Sequence, residues 1–279
     1  MLAVLLGVAV GLTLGLTGAG GSILASPLLM AGLGWTLPQT EPVALLAVCA
    51  AATFGTIVAW DRTYIRHRAA ALMAFAGFFT SPLGVKAAWV LPVPTLTMIF
   101  AGVLGVVGLR MLRQAVRAPT EAGIVRASVS GDAQHATGRS IRLNERGRID
   151  WNARAAVALA GIGAVTGFVA GLLGVGGGFV IVPALRRLSA LSMHSVIATS
   201  LLAVALTSAG AVSSTLLQGV TIPWLQAAPF VAGALLGMLA GRKLAPRIAG
   251  PRLQGGFAVL MLVVALGMGA HAFLAMGAP

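Results

Sequence analysis

The sequence predicts an all-α, polytopic helical membrane protein made of two inverted structural repeats, each with a glycine-rich broken, re-entrant helix pair. Three observations carry that expectation. The 279 residues are 58% apolar and 9% charged, with a mean hydropathy of +0.96, whereas a soluble domain carries roughly a quarter charged residues. The charge is also confined: apart from Lys86, every Lys and Arg lies in Arg62–Arg68, Arg110–Arg154, Arg186–Arg187 or Arg242–Arg252. Finally, two glycine-rich segments repeat one another at a fixed offset of 156 residues. Gly15-Leu16-Thr17-Gly18-Ala19-Gly20-Gly21, running on to Pro27, matches Gly171-Leu172-Leu173-Gly174-Val175-Gly176-Gly177, running on to Pro183. Gly11 meets Gly167 at the same offset, and Leu45–Val48 recurs identically as Leu201–Val204.

The first half offers apolar segments at about 2–16, 22–35, 42–60, 69–90 and 95–112; the second offers about 154–172, 179–192, 195–217, 224–241 and 254–276. Runs of about 17 to 30 apolar residues between charge clusters suffice for a hydrocarbon core about 30 Å thick. A transmembrane barrel would show short alternating strands instead. Taken as one helix, residues 2–35 would reach about 50 Å at 1.5 Å per residue, too long for one crossing. They suit a descending helix, a glycine break, and a shorter helix returning to the same side. No basic region precedes Leu2–Leu16, so the N-terminus reads as part of the first helix and not as a cleaved leader. The domains follow: 1–112 as the first membrane repeat, 113–153 as a polar, arginine-rich, partly disordered cytoplasmic loop, and 154–279 as the second repeat.

The charges choose the topology. If each opening pair returns to its starting side, each half makes an odd number of crossings and the halves are oppositely oriented. All basic clusters then share one face, and only Lys86 of nineteen basic residues lies elsewhere. If each opening pair crosses once, then Arg186, Arg187, Arg242, Lys243, Arg247 and Arg252 move outside. The positive-inside rule favours the inverted arrangement, with both termini outside. It also accounts for the net charge of +13 without nucleic acid. Trp35, Trp60, Trp89, Trp151 and Trp224 fall near span ends, as an interfacial belt places them.

Glycine breaks inside apolar sequence point to a substrate site. Irregular backbone at membrane depth survives only inside protein or along a wet cavity, and glycine lets a backbone or a ligand approach closely. Helices starting near Ser22 and Phe179 would aim free N–H groups and positive dipole ends into that space, an arrangement suited to an anion. The candidate substrate-binding residues are Thr17, Gly18, Gly20, Gly21 and Ser22 in the first half, and Gly174, Gly176, Gly177, Gly178, Thr199 and Ser200 in the second. Tight helix packing is the competing reading of such small residues. Neither cluster is a nucleotide loop, because no Lys-Ser/Thr follows and no strand or acidic partner accompanies it.

Glu41, Asp61, Glu121, Asp132, Glu145 and Asp150 all fall in loops or at span ends. No acid is therefore expected in mid-membrane to bind a cation or relay protons. His67 and His135 lie in loops and His194 and His271 near span ends, so no metal or catalytic histidine cluster is expected. Cys49, the only cysteine, lies within a span and reads as a small hydrophobe. Lys86, inside a span near its end, reads as snorkelling to the outer interface, or as a counter-charge for an anion in the pathway.

The run Gly174-Val175-Gly176-Gly177-Gly178-Phe179-Val180-Ile181-Val182-Pro183 resembles the signature of the sulfite exporter TauE/SafE family. The segment Thr17-Gly18-Ala19-Gly20-Gly21-Ser22 through Pro27 is similar to that family's first repeat, and Ala198-Thr199-Ser200-Leu201 to its second-half Gly-Thr-Ser-Leu element. The resemblance spans both apolar halves but not 113–153, and it implies an inner-membrane transporter of small sulfur-containing anions such as sulfite, sulfonates or sulfoacetate. The expected function is thus a secondary transporter working by alternating access, one repeat rocking against the other. A passive anion channel and a non-transporting membrane scaffold are the alternatives. The expected partners are a small anion and the lipid bilayer, without nucleic acid, cofactor or enzymatic activity; the oligomeric state is left open.

Overall fold

The structure is a computed structural model that describes residues 1–58, 65–117, 151–189, 193–248 and 251–277. The expected disorder of the central loop falls outside those residues. The described chain is all-helical: α1 Leu2–Thr17, a 3₁₀ segment Gly18–Leu24, α2 Ala25–Leu33, α3 Leu37–Val58, α4 His67–Val90, α5 Val93–Arg117, α6 Ala153–Leu173, α7 Gly178–Leu188, α8 Met193–Leu217, α9 Trp224–Ile248 and α10 Pro251–Gly277. Among the described residues seven helices (α3 to α6 and α8 to α10) are long and apolar enough to cross a membrane. Large apolar side chains such as Phe75, Phe79, Leu225, Leu266 and Phe273 are exposed on the outside of the bundle, which suits a lipid surround. Of the spans, α8 and α3 are the most buried and α10 the least.

Among the boundaries that differ from the sequence reading, three bear on the breaks, α3 and the loop. In place of an α-helix from near Ser22, the first break runs as a 3₁₀ segment into α2, because Gly21 is pressed against the backbone of Thr13 and Leu14. An i→i+3 turn is the tighter winding that such a seat requires. The third helix starts at Leu37 and not near 42, leaving Pro42 inside it. Gln39 Oε1 accepts from the Thr36 N–H at 3.0 Å, one arm of a capping box, and Pro38 is tolerated in a first turn. Lastly, α5 continues to Arg117, so the first residues assigned to the loop are helical.

At the 156-residue offset, α1 corresponds to α6, α2 to α7, α3 to α8, α4 to α9 and α5 to α10. The most extensive contacts are α1 with α9, α4 with α6, and α5 with α10; α4–α8, α3–α8 and α3–α9 follow. Exchanging each helix for its counterpart reproduces this set of pairs.

The glycines explain the two tightest seams. A Cβ on Gly7, Gly11 or Gly15 would strike the backbone of α9 near Phe230, Ala234 and Met238 in turn. A Cβ on Gly163, Gly167 or Gly171 would strike α4 at Met73, Gly77 and Ser81. Small residues every fourth position thus let two backbones touch, as membrane helix seams require. The ascending order of these contacts makes α1 parallel to α9 and α6 parallel to α4. By contrast α3 and α8 run antiparallel, with Gly55 facing Leu201 while Cys49 donates to the Ala205 carbonyl. Antiparallel too are α5 and α10, where Gly108 faces Met261 and Ala101 faces Gly269. Gly77 meets Thr207 and Phe78 meets Gly210, so α4 and α8 are parallel. Arg66, Arg68, Arg154, Arg242 and Lys243 consequently gather at one end of the bundle, and Lys86 lies towards the other.

Because each tight seam joins helices of different halves, the halves interlock. A rocking of one whole half against the other would have to separate backbones that are in contact.

Candidate functional site

The two breaks turn differently. In the first, Gly18 alone among the described residues has positive φ, at 76°, and a Cβ there would lie 2.8 Å from Ile197 of α8. In the second, Gly174, Gly176 and Gly177 all have positive φ, at 66°, 68° and 65°. An L side chain in that region costs roughly 1–2 kcal/mol, so the run Gly-Val-Gly-Gly-Gly is what this path needs. Gly174 closes α6, its N–H donating to the Ala170 carbonyl at 2.9 Å, and Gly177 caps α7 without any side-chain bond. Gly178, the first residue of α7, is buried.

Each left-handed glycine of the second break abuts a side chain that carries an unsatisfied polar atom. A Cβ on Gly174 would lie 2.7 Å from Glu41 Cα and 2.8 Å from its Cγ, and one on Gly176 would lie 2.8 Å from Ser208 Oγ. One on Gly177 would strike Thr166 Cγ2. Glu41 Oε1, Ser208 Oγ and Thr166 Oγ1 are buried without a hydrogen-bond partner, and the Glu41 residue is only 4% exposed. A buried polar atom without a partner costs about 1–3 kcal/mol. Three such atoms stand beside one backbone break. Their counterparts at the 156-residue offset are Ile197, Ala52 and Val10, all apolar.

Glu41 lies near the start of α3, at a span end as expected, but it is buried there, against Gly174. Ser26 of α2 ties the halves together here, its hydroxyl donating between the carbonyls of Leu173 and Gly174 at 3.2 Å each. Ser26→Ala should cost about 1 kcal/mol, read as a lower thermal unfolding midpoint in detergent.

The other predicted residues divide. Gly20 lies in the 3₁₀ segment, Gly21 packs on α1, and Ser22 is fully buried. Thr17 spends its hydroxyl on the Thr13 carbonyl one turn back, at 2.7 Å. Thr199 and Ser200 are buried within a turn of Ile197, on the Gly18 side of α8. Thr199 Oγ1 accepts from the Arg66 N–H at 3.1 Å, while Ser200 Oγ has no partner. Ser208 stands eleven residues beyond Ile197 along α8, about 16 Å away. The glycine turns therefore do not coincide; the 3₁₀ segment that starts at Gly18 packs on α7 and α8.

A pocket of about 230 Å³ opens between α4 and α8, lined by Phe78, Pro82, Lys86, Ser213, Ser214 and Gln218 among others. Lys86 is exposed on it. Its counterpart at the repeat offset is Arg242, which donates to the Gly55 carbonyl across the corresponding α9–α3 groove.

The sequence model described as sulfite exporter TauE/SafE matches residues 3–268. The chain belongs to the sulfite exporter TauE/SafE family. This TauE/SafE protein is similar to a "Probable membrane transporter protein" of Xylella fastidiosa strain 9a5c, 28% identical over 262 residues, which cover 92% of this chain and 90% of that one. A protein of the same description from strain Temecula1 is 29% identical over the same coverage. No solved structure matches the TauE/SafE chain. Family and helices together make it a multi-pass membrane transporter.

Proposed function

We propose that this protein is a secondary transporter that carries a small sulfur-containing anion, sulfite or a sulfonate such as sulfoacetate, across the cell inner membrane by alternating access. The observation that carries the reading is the second break itself. Gly174, Gly176 and Gly177 open a bend at which the Ser208 and Thr166 hydroxyls lack partners, and a bound oxyanion offers acceptors for both. The start of α7 at Gly178 adds the positive end of a helix dipole. Gly18, Gly20, Gly21, Ser22 and Thr17 then shape the opposite approach, with Thr199 and Ser200 beside them.

The two repeats are read as inverted, with residues 113–153 cytoplasmic. The antiparallel contacts of α3 with α8 and α5 with α10 support this, as does the gathering of arginines at one end. The open groove at Lys86 and the bridged groove at Arg242 support a state open to the outside. Because the halves interlock, the moving bodies are mixed: α1 with α9, and α6 with α4.

Topology is checked by labelling in a Cys49→Ala background. Lys86→Cys should react with a membrane-impermeant maleimide added to intact cells, and Arg68→Cys only after permeabilisation; the reverse pattern would overturn the orientation. Function is checked in vesicles of purified protein. Saturable sulfite or sulfonate uptake with counterflow supports a carrier, whereas unsaturable flux without counterflow would show a channel. Binding to the folded state should also raise the melting point, by the equivalent of about 2.7 kcal/mol at a hundred times Kd.

A further inference from the structure

We propose that Glu41 is the binding site of the coupling proton, so that anion and proton occupy the second break together and travel as a symport. The proposal rests on the reading of that break as an anion site. Glu41 is the one carboxyl among the described residues; it is 4% exposed, and its Oε1 has no hydrogen-bond partner. Its stem lies against Gly174, the first left-handed residue of the break. Packing does not need an acid there: Ile197, the counterpart of Glu41, fills the corresponding seat against Gly18 with hydrocarbon.

An anion brought beside an ionised carboxyl meets like charge. Burial in a low dielectric strengthens that repulsion. A neutral carboxyl removes that repulsion and presents an O–H donor to the anion. Each ligand therefore raises the affinity of the other, and the coupling is reciprocal. In the cycle the proton enters from the side to which the site is open and rests on a Glu41 carboxyl oxygen while the anion is held. Both leave on the opposite side, so a monovalent anion moves without net charge.

Among the described residues there is no other carboxyl to take this role. Against α3 pack α1, α2, α5, α6, α8 and α9. The first two carry no titratable side chain, and α5 has Arg110, Arg113 and Arg117 in its last turns. Arg154 sits at the start of α6, whose other end meets Glu41, and His194 is at the start of α8, the end away from Glu41 in the antiparallel pair. Arg242, Lys243 and Arg247 lie late in α9; Arg242 reaches Gly55, about 21 Å further along α3. Lys86 is exposed on the α4–α8 pocket.

The test uses the purified full chain with methanesulfonate and sulfate, anions that hold their charge over the working range. Calorimetric titration in buffers of different ionisation enthalpy counts the protons taken up. Wild-type protein should take up about one proton per anion bound, and its affinity should fall by up to tenfold per pH unit as the carboxyl ionises. Glu41→Gln should bind with no proton uptake and a flat pH profile. In vesicles that variant should keep counterflow but lose accumulation driven by an inward pH gradient. Wild-type binding without proton uptake, or accumulation by Glu41→Gln on a pH gradient, would overturn the proposal alone. Absence of both binding and counterflow in the wild type would overturn the anion reading beneath it. If Glu41→Gln fails to fold, as its thermal unfolding would reveal, the wild-type proton count decides by itself.

Discussion

Gly176→Val should abolish transport in vesicles while the protein still inserts into the membrane in normal amount. Gly176 has φ of 68°, and a Cβ there would lie 2.6 Å from Val48 Cγ1 and 2.8 Å from Ser208 Oγ. Left-handed backbone alone costs an L residue about 1–2 kcal/mol, and a β-branched side chain fits it worst. The break must therefore rebuild its path, and the partnerless Ser208 hydroxyl is pushed aside with it. Insertion depends instead on the flanking apolar helices α6 and α8, which the substitution leaves intact. Gly161→Val is the control: it lies in the preceding helix α6, where a Cβ meets nothing within 4 Å. Transport should survive Gly161→Val, and vesicle flux of a sulfur anion measured beside the inserted amount reads both variants. Wild-type flux in Gly176→Val would dismiss the second break as the site.

What the sequence revealed, and what it hid, follows from how each signal is carried. Span positions and the paired breaks were legible because hydropathy and glycine placement act locally. The breaks also showed as departures from helix within long apolar runs. Glu41 was concealed by Pro42: a proline beside an acid reads as the edge of a span. Yet Thr36-Leu37-Pro38-Gln39 carries a helix start that moves the edge five residues earlier. The polar lining of the second break was hidden for a different reason. Thr166 and Ser208 come from α6 and α8 and meet the glycines only through packing. Their trace in the sequence is a broken repeat. Where Glu41, Thr166 and Ser208 stand in one half, the other holds Ile197, Val10 and Ala52. Repeats preserve what the fold needs, so such departures point to the site. The interlocking of the halves left no trace in the glycine spacing, because a four-residue stripe shows that a partner exists and not which one.

That interlocking makes the second large effect. Gly11→Leu and Gly167→Leu should each prevent recovery of monodisperse protein, and to a similar degree. A Cβ on Gly11 would overlap the Ala234 carbonyl oxygen, and one on Gly167 would overlap the Gly77 carbonyl. A clash with backbone cannot be relieved by a rotamer change, so the helices must part. Overpacking costs typically 1–3 kcal/mol even where side chains can yield, and here the loss spreads along a seam that also holds Gly7 and Gly15, or Gly163 and Gly171. Gly105→Leu, a position with open space around it in α5, should be recovered normally. Size-exclusion chromatography and thermal unfolding of the three variants read the result. A comparable loss at Gly11 and Gly167 means that α1–α9 and α4–α6 are equivalent rigid pairs, each built from both halves. On the proposed alternating-access reading, opening the pathway would carry α1 with α9 and α6 with α4. The same reading leaves the motion to the contacts among α3, α8 and the two breaks, where Glu41, Thr166 and Ser208 stand.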